Sequence, residues 1–452
     1  MVLGLARQGK AAARYFVAQG AQVVVSDLKP RPALQTAVDE LVDLPIEVVL
    51  GSHPAELLVG ADLLCLSGGV PADLPLAQQA RAAGIELTND AQIFLEACPA
   101  PTIGITGSAG KTTTTALVGR MAEAHQQGHT GRAWVGGNIG RPLLADLEAI
   151  GPEDWVVLEL SSFQLELMTA GVRVAAVLNL TPNHLDRHRS MQAYTEAKAH
   201  ILASQSAADK AVLCAEDAGA WALRDRVRGE LLAFSRHDHG LEGAFVAGEH
   251  AMLRRRDGVE PVFPLADIRL RGEHNLLNVL GACTLGAAAG FSSGAMAAAV
   301  RGFEGVAHRL EFVRRVGGAD WYNDSIGTAP ERSIAAMRAF IEPIVLLAGG
   351  RDKNLPWESF ADLVTERVDH LILFGEAAET IGRAVEAANA RRSTGRPATI
   401  DRGATLVDAV RAAARRAQPG DVVLLSPGGT SFDEFSDFEA RGEAYRALVM
   451  AL

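Results

Sequence analysis

The chain has 452 residues, with 43 Lys and Arg against 54 Asp and Glu, which gives a formal net charge of −11. This acidic balance, without any basic stripe, argues against nucleic acid as a partner. Hydrophobic residues make up 48% of the chain and aromatic residues only 5%, so we expect a core built mainly of aliphatic side chains. The length predicts about three domains.

The four cysteines (Cys65, Cys98, Cys214 and Cys283) lie far apart and form no Cys-x-x-Cys pair. They are typical of small buried hydrophobic residues in a reducing compartment, not of a disulfide or zinc framework. No stretch approaches the ~18–20 apolar residues of a membrane span. The start lacks a signal-peptide pattern. We therefore expect a cytoplasmic protein without a membrane partner.

The first segment has the pattern of a nucleotide-binding βαβ unit. A short strand at Met1–Leu3 runs into the Gly-rich turn Gly4–Gly9, and a second apolar run ends at Asp27. This is a variant of the dinucleotide fingerprint, so a ligand site and a plain βαβ start both remain open. We expect the complete first strand to begin upstream of Met1. A further strand runs into Gly68-Gly69, and a Pro-rich link near 98–101 ends the predicted domain.

The second segment opens with a phosphate-binding loop, Gly104–Thr113, between an apolar run and a helical pattern. Glycine lets backbone N–H groups turn toward an anion, and the following helix adds its positive end. Lys111 is placed to reach the terminal phosphates and the Thr112 hydroxyl to ligate Mg²⁺. The full pattern has Gly where this chain has Ile105. ATP or another nucleoside triphosphate is the predicted ligand.

Two polar groups follow neighbouring strands of the same predicted sheet. Glu159 ends the apolar run that begins at Trp155, which is the usual place for a Mg²⁺ ligand or a water-positioning base. His184 follows a strand at 175–180 and is predicted to be functional. Residues 194–201 are predicted to be helical, and by composition alone Lys198 is a solvated lysine.

The rest of the chain predicts three features. Residues 211–271 alternate short apolar runs with charged turns, as in a peripheral antiparallel sheet. Residues 271–278 begin a long Ala-rich helix, whose polar first turn is either a cap or a nucleotide contact. From about residue 307, strands that end in oxygen-rich or Gly-rich turns predict a second, smaller Rossmann-like domain.

Taken in order, these motifs resemble those of the Mur ligases over essentially the whole chain. The motifs that carry the resemblance are Gly4–Gly9, Thr106–Thr114, Gly136–Gly140, Glu159–Glu166, Asn183–His188, Tyr194–Ile201, Gly272–Asn278, His308–Glu311, Asn323–Thr328, Ala348–Lys353 and Leu424–Phe435. The phosphate loop of this family also lacks the first glycine.

The resemblance implies an α/β fold of three domains. These are a Rossmann-like UDP-substrate domain (1–98), a central P-loop ATP-binding domain with a mostly parallel sheet (99–306) and a C-terminal Rossmann-like glutamate-binding domain (307–452). It also implies an amide ligase of peptidoglycan precursor synthesis that uses ATP and two Mg²⁺ ions. The implied partners are UDP-N-acetylmuramoyl-L-alanine, D-glutamate and ATP, and a monomer is expected. An acyl phosphate would form on the substrate carboxylate, and the glutamate amine would then displace phosphate.

The resemblance also assigns roles to individual residues. Catalysis would involve Lys111, Glu159, His184 and Lys198. The metal ligands would be Thr112, Glu159, His184 and Lys198. Lys198 would be carbamylated. ATP would be bound by Gly107, Ser108, Ala109, Gly110, Lys111, Thr112, Thr113, Asn275, Arg309 and Asp324. The UDP substrate would be bound by Gly4, Leu5, Ala6, Asp27, Leu28, Gly69, Asn138, Ser161 and Gln164. Glutamate would be bound by Thr328, Lys353, Ser431 and, through its backbone, Phe438.

Two positions depart from the family pattern. Ile326 and Ala329 stand where the pattern Asp-Ser-Lys-x-Thr-Asn has a lysine and an asparagine beside the amino-acid site. An L-glutamate-adding variant therefore remains an alternative. Another Mur or folylpolyglutamate-type ligase is a further alternative, because such ligases share the central domain. A nicotinamide-dependent dehydrogenase would use Gly4–Gly9 and Asp27 but would leave the phosphate loop, Glu159 and His184 unexplained. A non-catalytic ATP-sensing protein would be expected to lose Lys111, Glu159 or Lys198.

Overall fold

The computed structural model describes residues 1–183, 185–353, 355–392 and 395–452. It contains four β-sheets, and the chain divides into two compact units. The first unit comprises residues 1–268 and 273–303, and the second comprises 269–272 and 304–452. The first two predicted domains lie in the first unit except for residues 269–272 and 304–306, which belong to the second unit. The predicted boundaries at 98 and 306 remain predictions.

The N-terminal sheet is parallel and has the strand order β3-β2-β1-β4-β5. Its strands are β1 (Val2–Leu3), β2 (Val23–Asp27), β3 (Ile46–Leu50), β4 (Leu63–Leu66) and β5 (Glu86–Asn89). Its helices are α1 (Arg7–Ala18), α2 (Arg31–Asp39), α3 (Pro75–Ala82) and α4 (Asp90–Ala97), and a 3₁₀ turn spans Ala55–Leu58. The central strand β1 has only two residues, both fully buried, and it pairs with β2 on one side and β4 on the other.

The middle sheet is also parallel and has the order β11-β10-β9-β6-β8-β7. Its strands are β6 (Thr102–Thr106), β7 (Ala133–Gly137), β8 (Trp155–Glu159), β9 (Val174–Val177), β10 (Lys210–Cys214) and β11 (Glu230–Phe234). The helices of this part are α5 (Lys111–Gln126), α6 (Ser162–Leu165), α7 (Leu185–His188), α8 (Met191–Ala203), α9 (Ala218–Trp221), α10 (Glu273–Ala288) and α11 (Ser293–Arg301), with 3₁₀ turns at Leu143–Ala149, Ala222–Arg226 and Leu265–Asp267. Strands β6, β8 and β9 are adjacent, so their carboxyl ends share one edge of the sheet.

The prediction of a separate antiparallel sheet over 211–271 is wrong for its first half. Strands β10 and β11 extend the parallel middle sheet, because each apolar run pairs in parallel with its neighbour. Only β12 (Gly243–Ala247), β13 (His250–Arg255) and β14 (Gly258–Pro264) form an antiparallel sheet. The long helix predicted after residue 271 is α10.

The second unit contains a six-stranded sheet with the order β15-β16-β20-β17-β18-β19. Its strands are β15 (Glu311–Val316), β16 (Ala319–Asn323), β17 (Ile344–Gly349), β18 (Val368–Phe374), β19 (Thr399–Gly403) and β20 (Val422–Gly428), and only β15 runs antiparallel to its neighbour. Its helices are α12 (Pro330–Arg338), α13 (Glu358–Arg367), α14 (Ala378–Arg392), α15 (Leu406–Arg416) and α16 (Phe438–Met450).

Two apolar clusters cover the opposite faces of this last sheet. Alternate residues of β17 belong to different clusters, with Ile344 and Leu346 in one and Val345 and Leu347 in the other. A strand that is buried on both faces is typical of α/β proteins with a parallel sheet. The predicted α/β class with parallel-sheet domains is therefore confirmed. None of the described helices is long and apolar enough to cross a membrane.

Candidate active site

The phosphate loop joins β6 to α5, and its last glycine has a conformation that other residues rarely adopt. Gly110 caps α5 with φ of +82°, in the left-handed region. A Cβ atom on Gly110 would lie 2.1 Å from Oδ1 of Asn278, a residue of α10. Both the backbone and the neighbouring side chain therefore require glycine there, and the N–H groups of the first turn of α5 remain available to an anion.

The loop is held against the chain that leaves β9. The Asn179 side chain accepts a hydrogen bond from the Ala109 N–H (2.8 Å) and donates one to the Ala109 carbonyl (3.1 Å). The Ser108 hydroxyl donates to the Thr181 carbonyl (2.9 Å) and accepts from the Tyr194 hydroxyl (3.1 Å). These contacts hold the phosphate loop from one side.

Lys111 lies at the first position of α5 and turns back over the loop. Its Nζ donates to the Gly107 carbonyl (2.9 Å) and lies 3.4 Å from the Ser108 carbonyl. The ammonium group is thus held beside the glycine-rich backbone, where the sequence predicted it would meet phosphate.

Thr112, Glu159 and Asn138 meet at the carboxyl ends of β8 and β7. The Thr112 hydroxyl donates to Oε2 of Glu159 (2.8 Å), and the Asn138 amide donates to Oε1 (3.1 Å). Glu159 is only 3% exposed. The structure therefore brings together two predicted metal ligands, both of them hard oxygen donors of the kind Mg²⁺ prefers. His184, the third predicted side chain of this group, lies outside the described residues.

Lys198 lies on α8 and is buried, so its interpretation as a solvated lysine is wrong. Its side chain is among the largest of the fully buried ones, and Nζ lies 3.2 Å from Oγ1 of Thr106 and 4.8 Å from the centre of the Tyr194 ring. Burial lowers the pKa of Lys198 to about 6; the positive charge of Lys111 acts in the same direction, and Glu159 opposes them. At neutral pH this amine is therefore mostly uncharged.

Among the described residues, no three His, Cys, Asp or Glu side chains are close enough together to hold a metal ion.

Ser161 and Gln164 form a polar link to the N-terminal sheet. Gln164 Oε1 accepts hydrogen bonds from the N–H (3.1 Å) and the hydroxyl (3.0 Å) of Ser161. Gln164 Nε2 lies 3.4 Å from the carboxylate of Asp90. The side-chain amide of Asn89 donates to the backbone carbonyl of Gln164 (2.7 Å). Burial raises the pKa of Asp90 to about 6, and the hydrogen bond from Gln164 opposes this rise. The sequence gives no sign of this role for Asp90, because nothing in a short helix that starts with Asp signals a distant partner.

A second histidine of the Asn183–His188 motif is also part of this region. His188 is buried, with Nε2 2.8 Å from the Ser162 hydroxyl and Nδ1 3.0 Å from Glu166. Its ring stacks on that of Phe163. The Asn183–His188 motif is the sequence signal by which His188 could have been identified.

The N-terminal turn is organised by Asp27. One carboxylate oxygen accepts from the Leu5 N–H (2.8 Å) and the other from the Lys29 N–H (2.9 Å). A Cβ on Gly9 would lie 1.8 Å from the Gly4 carbonyl, so close packing requires this glycine. Asp27 thus brings the Gly4–Ala6 turn and Leu28, which is 58% exposed, to one end of the sheet. Across the first unit, the Gly69 carbonyl lies 3.4 Å from the Arg187 guanidinium.

Most of the remaining predicted residues lie in the second unit. Thr328 and Lys353 approach to 3.5 Å between Oγ1 and Nζ, and burial together with the charge of Arg332 lowers the pKa of Lys353. Ser431 is buried, and the Phe438 carbonyl accepts a hydrogen bond from the Ser325 hydroxyl (2.8 Å).

Asp324 is buried at the end of β16. It accepts from the Ser426 hydroxyl (2.7 Å) and the Leu310 N–H (3.2 Å). Burial raises the pKa of Asp324 to about 6. These hydrogen bonds and the charge of Arg309 oppose the rise but do not cancel it. Asn275, in the first unit, accepts from the Asn278 amide (3.0 Å), which places it beside the phosphate loop.

The fold and this site define an α/β protein with a phosphate-binding loop, and sequence comparisons specify the family. Three family models match: the Mur ligase MurD-like N-terminal domain over residues 1–89, the Mur ligase middle domain over 105–286, and the Mur ligase glutamate ligase domain over 308–429. The UDP-N-acetylmuramoylalanine–D-glutamate ligase of Symbiobacterium thermophilum is 42% identical over 100% of this chain and 97% of its own length. The protein of the same name from Geotalea uraniireducens is 38% identical, with the same coverage.

Solved structures agree on the fold. The UDP-N-acetylmuramate–alanine ligase of Thermotoga maritima has a TM-score of 0.58 at 18% identity and covers 100% of this chain and 98% of its own. MurF of Acinetobacter baumannii has a TM-score of 0.58 at 17% identity, with 96% and 92% coverage. The chain belongs to the Mur ligase family, as the motif series predicted.

Proposed function

We propose that this chain is an ATP-dependent ligase that joins D-glutamate to UDP-N-acetylmuramoyl-L-alanine. The observation that carries the proposal is the similarity over the full length to relatives named for this activity. The local geometry supports it, because a buried carboxylate meets the hydroxyl of the phosphate loop beside a buried, uncharged lysine.

ATP would bind with its phosphates on the loop Gly107–Thr113 and against Lys111. The N–H groups at the start of α5 and the Lys111 ammonium would neutralise charge at the β- and γ-phosphates. Arg309 and Asp324, with Asn275, are proposed to contact the same nucleotide. The close pair of Thr112 and Glu159 fits one Mg²⁺, and His184 is proposed to assist. Bound there, Mg²⁺ would withdraw charge from the phosphate oxygens.

Lys198 is proposed to carry a carbamate that holds the second Mg²⁺. Carbamylation requires a neutral amine, whose nitrogen attacks the carbon of CO₂ and then loses a proton. The lowered pKa of Lys198 supports this, because most of the amine is already neutral at pH 7. The product carries a negative charge, and the nearby positive charge of Lys111, together with the proposed Mg²⁺, would offset the cost of burying it.

The two substrates are assigned to separate sets of residues. The Gly4–Ala6 turn with Asp27, Leu28 and Gly69 would hold the UDP part, and Asn138, Ser161 and Gln164 the part nearer the reacting carboxylate. Thr328, Lys353, Ser431 and the Phe438 backbone would hold glutamate.

The reaction needs activation because a carboxylate is a poor electrophile. Its oxygen would attack the γ-phosphorus of ATP, ADP would leave, and a mixed anhydride would remain. The neutral amine of glutamate would then attack the acyl carbon. Inorganic phosphate would leave with the electrons of the broken C–O bond, and the nitrogen would lose one proton to solvent to give the amide. Two anions must approach in the first step, so the positive groups around the loop act mainly by lowering their repulsion.

We propose three domains, with boundaries at 98 and 306, and action in the cytoplasm. The free thiols of all four cysteines support a reducing compartment. The monomeric state remains a prediction.

The second candidate is the same ligase with L-glutamate as substrate. Ile326 and Ala329 favour this alternative, because they remove a cation and an amide beside the proposed amino-acid site. Phosphate release with ATP, Mg²⁺ and UDP-N-acetylmuramoyl-L-alanine, measured with D-glutamate, L-glutamate or no amino acid, separates the two. We expect turnover with D-glutamate only. A preference for L-glutamate would select the alternative, and the absence of turnover with either would refute the ligase proposal.

A further inference from the structure

Arg441 is a fully buried arginine on α16, and its guanidinium contacts loops, not carboxylates. Nε donates to the Ser325 hydroxyl (3.0 Å), Nη2 to the Ser325 carbonyl (2.8 Å) and Nη1 to the Gly429 carbonyl (3.2 Å). Among the described residues, no carboxylate forms an ion pair with it. Burial lowers the pKa of Arg441 to about 10, and the more distant charges of Asp433, Asp324 and Glu434 oppose this.

These contacts join the loops that follow three adjacent strands. Ser325 follows β16 and Gly429 follows β20, and β20 lies between β16 and β17 in the sheet. The loop after β17 also packs on the guanidinium, because a Cβ on Gly350 would lie 2.9 Å from Nη1. The loops after β17 and β20 are in turn paired by two hydrogen bonds between Arg351 and Thr430 (2.8 and 2.9 Å).

Every residue proposed to bind glutamate lies in one of these loops or at the start of α16. Thr328 follows Ser325, Lys353 follows Gly350 and Ser431 follows Gly429, each within three residues. The Phe438 carbonyl accepts from the Ser325 hydroxyl, which itself accepts from Arg441. Retaining a buried charge without an ion pair is costly, so an ordinary packing position would favour an apolar residue.

We infer that Arg441 is the positioning residue of the amino-acid site: its planar guanidinium fixes the three loops so that their side chains converge on the incoming glutamate. This inference rests on the proposed function. A lysine would keep the charge, but its single ammonium lacks the fork geometry needed to reach Ser325 and Gly429 together.

The test compares the full chain with Arg441→Lys, Arg441→Met and, as the matched control, Arg446→Lys. Arg446 lies on the same helix, and its guanidinium pairs with Glu311 and Glu443. Two rates are measured: D-glutamate-dependent phosphate release, and hydroxamate formation with hydroxylamine, a small amine that traps an acyl phosphate without needing the amino-acid site.

For Arg441→Lys we expect the KM for D-glutamate to rise about tenfold or more, while hydroxamate formation and the KM for ATP change less than about threefold. Arg446→Lys should match the wild type. The inference is overturned if the KM for D-glutamate changes less than about twofold, or if both rates and the Tm fall together, which would indicate a structural role only. The Lys variant decides, because Arg441→Met removes all three hydrogen bonds of the guanidinium and its Tm measures their structural contribution. Failure of the wild type and the control to release phosphate with glutamate would instead refute the proposed function.

Discussion

Replacing Lys198 with alanine should abolish ligation, and added small carboxylates should partly restore it. With a pKa of about 6, roughly 90% of the Lys198 amine is neutral at pH 7, against about 0.03% for a lysine with the ordinary pKa of 10.5. Burial and the nearby charge of Lys111 therefore increase the fraction of neutral amine, the form that reacts with CO₂, by about three orders of magnitude. In Lys198→Ala, the vacated side-chain volume beside Thr106 could admit formate or acetate, whose oxygens would replace those of the carbamate.

The assay is phosphate release with and without acetate, together with intact mass measured under CO₂. The control is Lys210→Ala, because Lys210 starts β10 and pairs with Glu230 at the middle sheet. We expect a mass increase of one CO₂ in the wild type and in Lys210→Ala, and none in Lys198→Ala. The reasoning is refuted if the wild type carries no CO₂ adduct and acetate restores no activity to Lys198→Ala.

Three further predictions follow from the same structure. Lys111→Ala should lower phosphate release about a thousandfold or more, because the ammonium beside the loop backbone is lost, and near-normal turnover would contradict its proposed role. Gly110→Ala should weaken ATP binding at least about tenfold in a calorimetric titration, because its Cβ would meet Asn278, while Gly294→Ala, whose nearest neighbour atom would be 3.9 Å away, should bind normally. Asp90→Asn should change the pH dependence of stability. The pKa of Asp90 is raised from 3.8 to about 6, so its contribution is present below pH 4 and declines by about 3 kcal/mol as pH rises to 6. Urea unfolding between pH 4 and 7 should show a decline that is larger in the wild type than in the variant by roughly 2–3 kcal/mol, because the raised pKa of Asp324 contributes a decline to both proteins. An equal decline in the two proteins would contradict the assignment.

The sequence predicted best where function lies at the ends of parallel strands. The phosphate loop after β6 and Glu159 at the end of β8 could both be identified, because adjacent parallel strands end at one edge. The 2.8 Å hydrogen bond from Thr112 of the loop to Glu159 follows from that arrangement.

The sequence predicted less where a role depends on tertiary packing. Composition alone cannot distinguish the buried Lys198 from a surface lysine on an Ala-rich helix, and only the family resemblance identified it. The link between Asp90 and Gln164 joins residues 74 positions apart, and the three loops around Arg441 come together only in the folded sheet. Strands β10 and β11 were assigned to the wrong sheet because short apolar runs do not specify their partners.

The most direct test of the ligase account uses substrate whose alanine carboxylate carries ¹⁸O in both oxygens. After turnover with ATP and D-glutamate, we predict one ¹⁸O in the released phosphate and one in the new amide carbonyl, because the carboxylate oxygen becomes the bridge of the acyl phosphate. Product without label in the phosphate would contradict activation of the carboxylate by phosphoryl transfer.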